Sequence, residues 1–248
     1  MKKTALVLLM AVCLLLVACS TGSYTYQNGE AYTAGGSAVT GQVEEIEINW
    51  VDGKVCVAYH DSEGVSLSER SDRKLSKDQQ LHWYLDGKKL IVQYAAAGLR
   101  NVPSLDKELT VTLPKALCLA EMKINVVSSV VDAEGVEAES MEINTVSGKV
   151  MVTNAHVRKV EMASVSGNLD ITLKNTPDKI IADSVSGSVR IGMPDGAGFV
   201  AEIDSVSGSV TGSFPMIGKN KNQYVCGDES CRISVNTVSG NVRLEEIK

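Results

Sequence analysis

The sequence predicts an all-β protein whose body is a single-stranded parallel β-solenoid with rungs of about 20 residues and an irregular N-terminal β cap. Three observations predict it. A Ser/Thr-Val-Ser-Gly motif returns at near-constant spacing, apolar and polar residues alternate on both sides of it, and glycine ends each copy where the chain has to bend.

The motif stands at Thr145-Val146-Ser147-Gly148, Ser164-Val165-Ser166-Gly167, Ser184-Val185-Ser186-Gly187, Ser205-Val206-Ser207-Gly208 and Thr237-Val238-Ser239-Gly240, with an eroded copy at Val126-Val127-Ser128-Ser129. Its third-position serines, 128, 147, 166, 186, 207 and 239, are separated by 19, 19, 20, 21 and 32 residues, a period with one late insertion. Met141 and Ile143 before the corner and Val150 and Val152 after it are apolar, whereas Glu142, Asn144 and Lys149 between them are polar. Leu169/Ile171, Val189/Ile191 and Val242/Leu244 repeat the inward pair. Period two means strands. Each rung is therefore strand, corner, strand and return loop, stacked about 4.8 Å from the next, and six rungs give a body roughly 25 to 30 Å long.

The same unit recurs upstream. Ile48 to Val57 matches Ile143 to Val152 at seven of ten positions, which draws the N-terminal part into the same sheets. Leu81 to Tyr94 is two β-rich runs around Asp86-Gly87, a hairpin signal, and Leu109 to Leu113 alternates until Pro114 stops it. Residues 43–120 thus read as a β cap on the solenoid of 121–248, covering an edge that would otherwise aggregate. Ser62 to Gln80 is polar and reads as an exposed excursion containing a short helix.

The first residues form an address. Met1-Lys2-Lys3 precedes an apolar run of 13 residues, Ala5 to Val17, too short for the roughly 20 residues that span a bilayer. Leu16-Val17-Ala18-Cys19 then resembles a lipobox, so residues 1–18 read as a lipoprotein signal peptide and Cys19 as the acylated anchor. An ordinary secretory signal or an uncleaved anchor are the alternatives. Residues 19–42, rich in Gly, Ser, Thr and Tyr, read as a flexible tether with a span of about 25 Å, and Tyr24, Tyr26 and Tyr32 as solvated within it. The formal charge of −6 becomes −8 once Lys2 and Lys3 leave with the leader, a balance that repels phosphate backbones and excludes nucleic acid as a partner.

The tandem rungs, Ile48-Asn49-Trp50-Val51-Asp52-Gly53-Lys54-Val55, the Trp83-Tyr84-Leu85-Asp86-Gly87-Lys88-Lys89-Leu90 hairpin and Leu113-Pro114-Lys115 together resemble the bacterial putative-adhesin domain of unknown function. The resemblance runs from about Val43 to the end. It implies a right-handed β-helix-like fold in a cell-envelope setting and supplies no catalytic residues. The chain departs from the pattern by its insert between Gly212 and Cys231 and by Ser129 where the motif has glycine.

No catalytic constellation emerges. Ser147, Gly148, Ser166, Gly167, Ser186, Gly187, Ser207, Gly208, Ser239 and Gly240 read as structural corners, because a nucleophile is singular, has a matched base and in hydrolases sits in Gly-x-Ser-x-Gly. His60, His82 and His156 fall in unrelated segments with no second ligand at metal spacing. Asn125, Asn144, Ala163, Asp183, Asp204 and Asn236 form a column that reads as a capping ladder. Asp183 and Asp204 are expected one rung apart, where a cation such as calcium would relieve their repulsion, but the glycine-rich nonapeptides of calcium β-rolls are absent. The expectation is no metal and no cofactor. In the outward column of Asp132, Met151, Asp170, Arg190, Thr211 and Arg243, Asp170 and Arg190 are placed to pair. Cys226 and Cys231 bracket a short exposed loop and are expected to form a disulfide, with free thiols as the alternative; Cys56 and Cys118 form a weaker candidate pair.

These readings converge on a lipid-anchored, extracytoplasmic, non-catalytic binding or structural module of the cell envelope. Its expected partners are the membrane, through acyl chains on Cys19, and an envelope glycan or protein. A sensory or regulatory lipoprotein of envelope stress and a polysaccharide-active enzyme are the alternatives.

Overall fold

The computed structural model describes residues 23–100 and 104–247, so the segment 1–18 read as a signal peptide and Cys19 lie outside it. Every long element in it is a strand, with two short 3-10 turns, Gly29–Ala31 and Lys77–Gln79. No helix among the described residues is long and apolar enough to cross a membrane.

Each repeat contributes one strand run before its corner and one after, so the chain builds two stacks of parallel strands, joined along the corner, within one 19-stranded sheet. Before the corner, Glu45–His60 pairs in parallel with Leu119–Glu134, which pairs with Glu137–Thr145, then Val150–Ser164, then Lys179–Ser186. After the corner, the second half of Leu119–Glu134 pairs with the first half of Val150–Ser164, then Leu169–Leu173, then Val189–Pro194. The alternation seen in the sequence becomes an interior of aligned columns. Ile48, Ile124, Ile143 and Met162 stack in one, and Val131, Val150, Leu169 and Val189 in another, all essentially solvent-free. Each such side chain contributes roughly 1.5–3 kcal/mol on burial.

The winding departs from sequence order at both ends. Cys231–Ser239 inserts between Lys179–Ser186 and Phe199–Ser207, and Val242–Ile247 inserts between Val189–Pro194 and Val210–Gly212. At the other end Glu45–His60 lies between Leu119–Glu134 and the pair Lys89–Gln93 and Glu108–Pro114. The first and last rungs in the chain are thus second from the ends of the stack. Antiparallel strands cover what lies outside them. Val65–Arg70 and His82–Asp86 do so at one end, and Gln223–Cys226 with Ile217–Gly218 at the other. Open strand edges invite pairing with other chains, and these strands occupy them.

The N-terminal cap follows the hairpin reading, with His82–Asp86 and Lys89–Gln93 antiparallel and Gly87 at φ 61° in the turn. The polar excursion contains the strand Val65–Arg70 and the turn Lys77–Gln79, which Ser76 and Gln79 close as a capping box. The expectation of a free tether fails from Ser23 onward. Thr33–Ala34 pairs with His82 and Trp83, Ala38–Val39 pairs with Val65 and Ser66, and Tyr24 is buried. The Tyr26 ring packs tilted against Tyr32 at 4.6 Å, and Tyr32 against Tyr84 at 5.5 Å. Composition hid this, because the segment anchors through tyrosine rings and single bridges rather than through a hydrophobic period.

Lys107 locks the cap. Its side chain is 0% exposed, and its Nζ lies 2.6 Å from Glu69 Oε1, donates to Gln79 O at 2.7 Å and to Tyr94 O, and faces the rings of Tyr94 and Trp50. Burial pulls its pKa below the usual lysine value, against the pull of Glu69. The Glu69 carboxylate also accepts from Leu81 N at 2.9 and 3.0 Å, so both buried charges are satisfied.

Candidate functional site

The corner is a column of backbone contacts. A Cβ on Gly167 would lie 2.0 Å from Gly148 O, one on Gly187 2.3 Å from Gly167 O, one on Gly240 2.0 Å from Gly187 O and one on Gly208 2.0 Å from Gly240 O. Each glycine is therefore fixed by close approach of the neighbouring rung. The sequence 187, 240, 208 in that column repeats the exchanged order of the last two rungs. Ser129 departs from glycine where Leu119–Glu134 runs through the corner as one continuous strand.

In two motifs the first residue staples the turn. Thr145 Oγ1 accepts from Gly148 N at 2.9 Å, and Ser164 Oγ accepts from Gly167 N at 2.7 Å. Sequence reasoning assigned these hydroxyls no role, although their alternation between Ser and Thr at a fixed offset before glycine is the signal of such a turn. The third-position serines 147 and 166 bond to the preceding rung instead. Ser147 Oγ donates to Val127 O at 3.3 Å and Ser166 Oγ to Val146 O at 3.2 Å, which leaves no base beside either hydroxyl.

Beside the corner runs the polar ladder. Asn125 Nδ2 donates to Asn49 Oδ1 at 2.8 Å and Asn144 Nδ2 to Asn125 Oδ1 at 3.0 Å, Ala163 interrupts, and Asn236 Nδ2 donates to Asp183 Oδ1 at 2.7 Å. The expectation that Asp183 and Asp204 are adjacent is wrong. Asn236 occupies the rung between them, and Asp204 Oδ1 accepts from Asn222 Nδ2 at 2.8 Å. Two strand spacings, about 10 Å, separate the carboxylates, and an amide lies between.

After the corner lies an open groove of about 420 Å³. One wall is the column Lys149, Asn168, Ser188, Asn241 and Ser209, whose carbonyls each accept from the neighbouring rung at 2.9 Å. The other is Asp170, Arg190, Arg243 and Thr211, again with the last two rungs exchanged. Arg190 bridges two carboxylates, its Nη1 2.7 Å from Asp170 Oδ1 and its Nε 2.6 Å from Glu245 Oε2, while Arg243 pairs with the other Glu245 oxygen. A ridge of second-position valines flanks the corner, with Val185, Val238 and Val206 progressively more exposed toward the terminal rung, at 37%, 52% and 83%. The groove therefore offers amides, hydroxyls and an exposed guanidinium repeated at rung spacing. Glycoside hydrolysis needs two free carboxyl groups about 5–9.5 Å apart. Asp170 and Glu245 are both paired with Arg190, so neither is a free carboxyl group.

The remaining candidates do not gather. His60 contacts Ser62 and Gly64 O, His82 contacts Gln80 O at 3.0 Å, and no group of three or more metal-ligating side chains exists among the described residues. Cys226 and Cys231 are free, contrary to the disulfide expectation. Cys226 pairs with Phe199 on one side and Cys231 with Phe199 on the other, so a strand stands between them. Their separation of about 10 Å exceeds the roughly 7 Å limit for a disulfide. Cys56 and Cys118 are also free.

In-register parallel rungs stacked along a column of glycine corners define a β-solenoid-like repeat domain. The chain belongs to the Toastrack DUF4097 family, whose model matches residues 43–245. Among solved structures, a putative cell adhesion protein from Clostridium sporogenes ATCC 15579 is similar at 12% identity and a TM-score of 0.54, covering 87% of this chain and 100% of that one. That likeness shows a shared fold. A putative adhesin from Bacteroides fragilis NCTC 9343 is similar at 11% identity and a TM-score of 0.45, over 84% of this chain and 95% of that one. No curated protein matches.

Proposed function

We propose that the protein is a lipid-anchored, extracytoplasmic lipoprotein whose solenoid presents the corner groove to an envelope polymer or protein, without catalysis. The observation that carries this reading is the groove beside the glycine column, where hydroxyl, amide and guanidinium groups recur along the stack and both nearby carboxylates are held by Arg190. The lipobox at Leu16-Val17-Ala18-Cys19 supplies the anchor, and the described adhesin character of the clostridial neighbour agrees with a contact role. A polymer with hydroxyl or amide groups repeated every few ångströms would meet the same donors and acceptors on successive rungs.

The test is retention of envelope material by the soluble chain from Ser20 onward, presented with membrane, wall and glycan fractions, with and without calcium. Retention should fall in graded steps with Asn241→Ala and Arg243→Ala and be indifferent to calcium. New reducing ends or unsaturated products would make it an enzyme instead.

A further inference from the structure

We infer that the cap end of the domain, where the chain enters the fold at Ser23, rests against the lipid surface. This rests on the reading of Cys19 as the acylated residue. Three residues lie between Cys19 and Ser23, and the four Cα-to-Cα steps span at most about 14 Å in any conformation.

Ser23 is a fixed point. It bridges Arg100, Tyr24 N donates to Leu99 O at 2.8 Å, and Gly98 N donates to Tyr24 O at 2.6 Å. The Tyr24 hydroxyl donates to Gln93 Oε1 at 2.8 Å, which ties the entry to the strand Lys89–Gln93. The polar headgroup layer of one leaflet is about 6 Å thick, so a cysteine acylated at its depth holds Ser23 no more than about 10 Å outside it. The leash is too short to let the domain stand clear of the bilayer.

The surface around that entry suits the position. Tyr26, Tyr32 and Tyr84 form a row of rings in tilted contact, and the Tyr26 hydroxyl donates to Ala95 O at 3.1 Å. Next to them opens a cavity of about 700 Å³, with Thr25, Tyr26, Tyr32, Lys77 and Glu30 on its walls. Aromatic rings with polar tips favour headgroup depth. Lys77 and Arg100 are exposed cations, but Glu30 and Asp78 lie in the same region, so the match is to zwitterionic headgroups rather than to strongly anionic lipid. The terminal rung, with exposed Val206, lies at the other end of the stack, nine strand spacings or roughly 40 Å away.

The full chain, acylated and reconstituted in phosphatidylcholine vesicles carrying a nitroxide on the lipid headgroup, tests this directly. A fluorophore is placed at Thr25→Cys or, independently, Gln27→Cys, and in a third sample at Val206→Cys, each in a Cys118→Ser background. Expected are co-flotation with the vesicles, several-fold quenching at the two cap positions, near-full emission at 206, and little change when phosphatidylglycerol is added. Flotation with equal quenching at all three sites, or stronger quenching at 206, would overturn the inference while leaving the anchor intact. Loss of flotation in the unaltered chain, or unchanged flotation of Cys19→Ser, would remove the anchor and the inference with it.

Discussion

Asn236 donates to Asp183 across 2.7 Å although 53 residues separate them in the chain. That bond places the last rung directly on Lys179–Ser186 and leaves Phe199–Ser207, which precedes it in sequence, as the outermost parallel rung. The chain skips a layer after Pro194, lays down the terminal rung and its covering strands, and returns to fill the gap. Its C-terminal edge is then shielded on both faces.

The position of Asn236 between two carboxylates makes it a charge-sensitive site. Asn236→Asp would set three carboxyl groups in one column, and the introduced group would have a folded pKa above its unfolded value. Folded chains then hold more protons than unfolded ones above about pH 4, so stability falls as pH rises through the carboxylate range. Urea midpoints should show a loss of about 1–3 kcal/mol at pH 7 that largely disappears near pH 4, whereas Asn236→Leu should show a loss with little pH dependence.

The glycine column gives a sharp contrast between positions. Gly167→Ala drives a methyl group into Gly148 O at 2.0 Å and should cost about 3 kcal/mol or more. At Gly218 nothing lies within 4 Å of where a methyl group would sit, and its φ is not positive, so Gly218→Ala should be neutral or stabilise by about 0.5 kcal/mol. Thermal or chemical denaturation of the two variants reads the difference.

Lys107→Met strands Glu69, whose side chain is 6% exposed, and should cost about 3–5 kcal/mol. Adding Glu69→Leu removes the stranded charge. The double variant should therefore recover a large part of the loss, and a double-mutant cycle measures how much.

Thiol reactivity separates the cysteines. Cys118 is exposed, whereas burial pushes the Cys231 thiol up to about 12 and raises that of Cys226. A thiol reagent followed by peptide mapping should modify Cys118 quickly in the native chain, Cys226 and Cys231 only on unfolding, and should recover no peptide linking 226 to 231.

The period, the alternation and the asparagine column are local or repeated features, and they made the architecture legible from the residues alone. Ile48, Ile124 and Ile143 fell into one register because identical pleats stack identically. The exchange of the last two rungs was hidden, since a spacing of 32 residues reports an insertion and not the layer to which the chain returns. The burial of Lys107 carries no local signal, because the charge and aromatic faces that hold it come from segments distant in sequence. The tyrosines of residues 23–42 carried no periodicity, and the Cys226–Cys231 spacing fitted a staple until the strand of Phe199 was found between them.

Cross-linking across the corner tests the stacking order most directly. Ser186 pairs with Ser239, and Ser239 with Ser207, in adjacent in-register strands, so paired cysteines at 186 and 239, and at 239 and 207, should oxidise readily. Cysteines at 186 and 207 should not. Efficient bridging of 186 to 207, with none from 186 to 239, would contradict the exchanged rungs and the column of corners built on them.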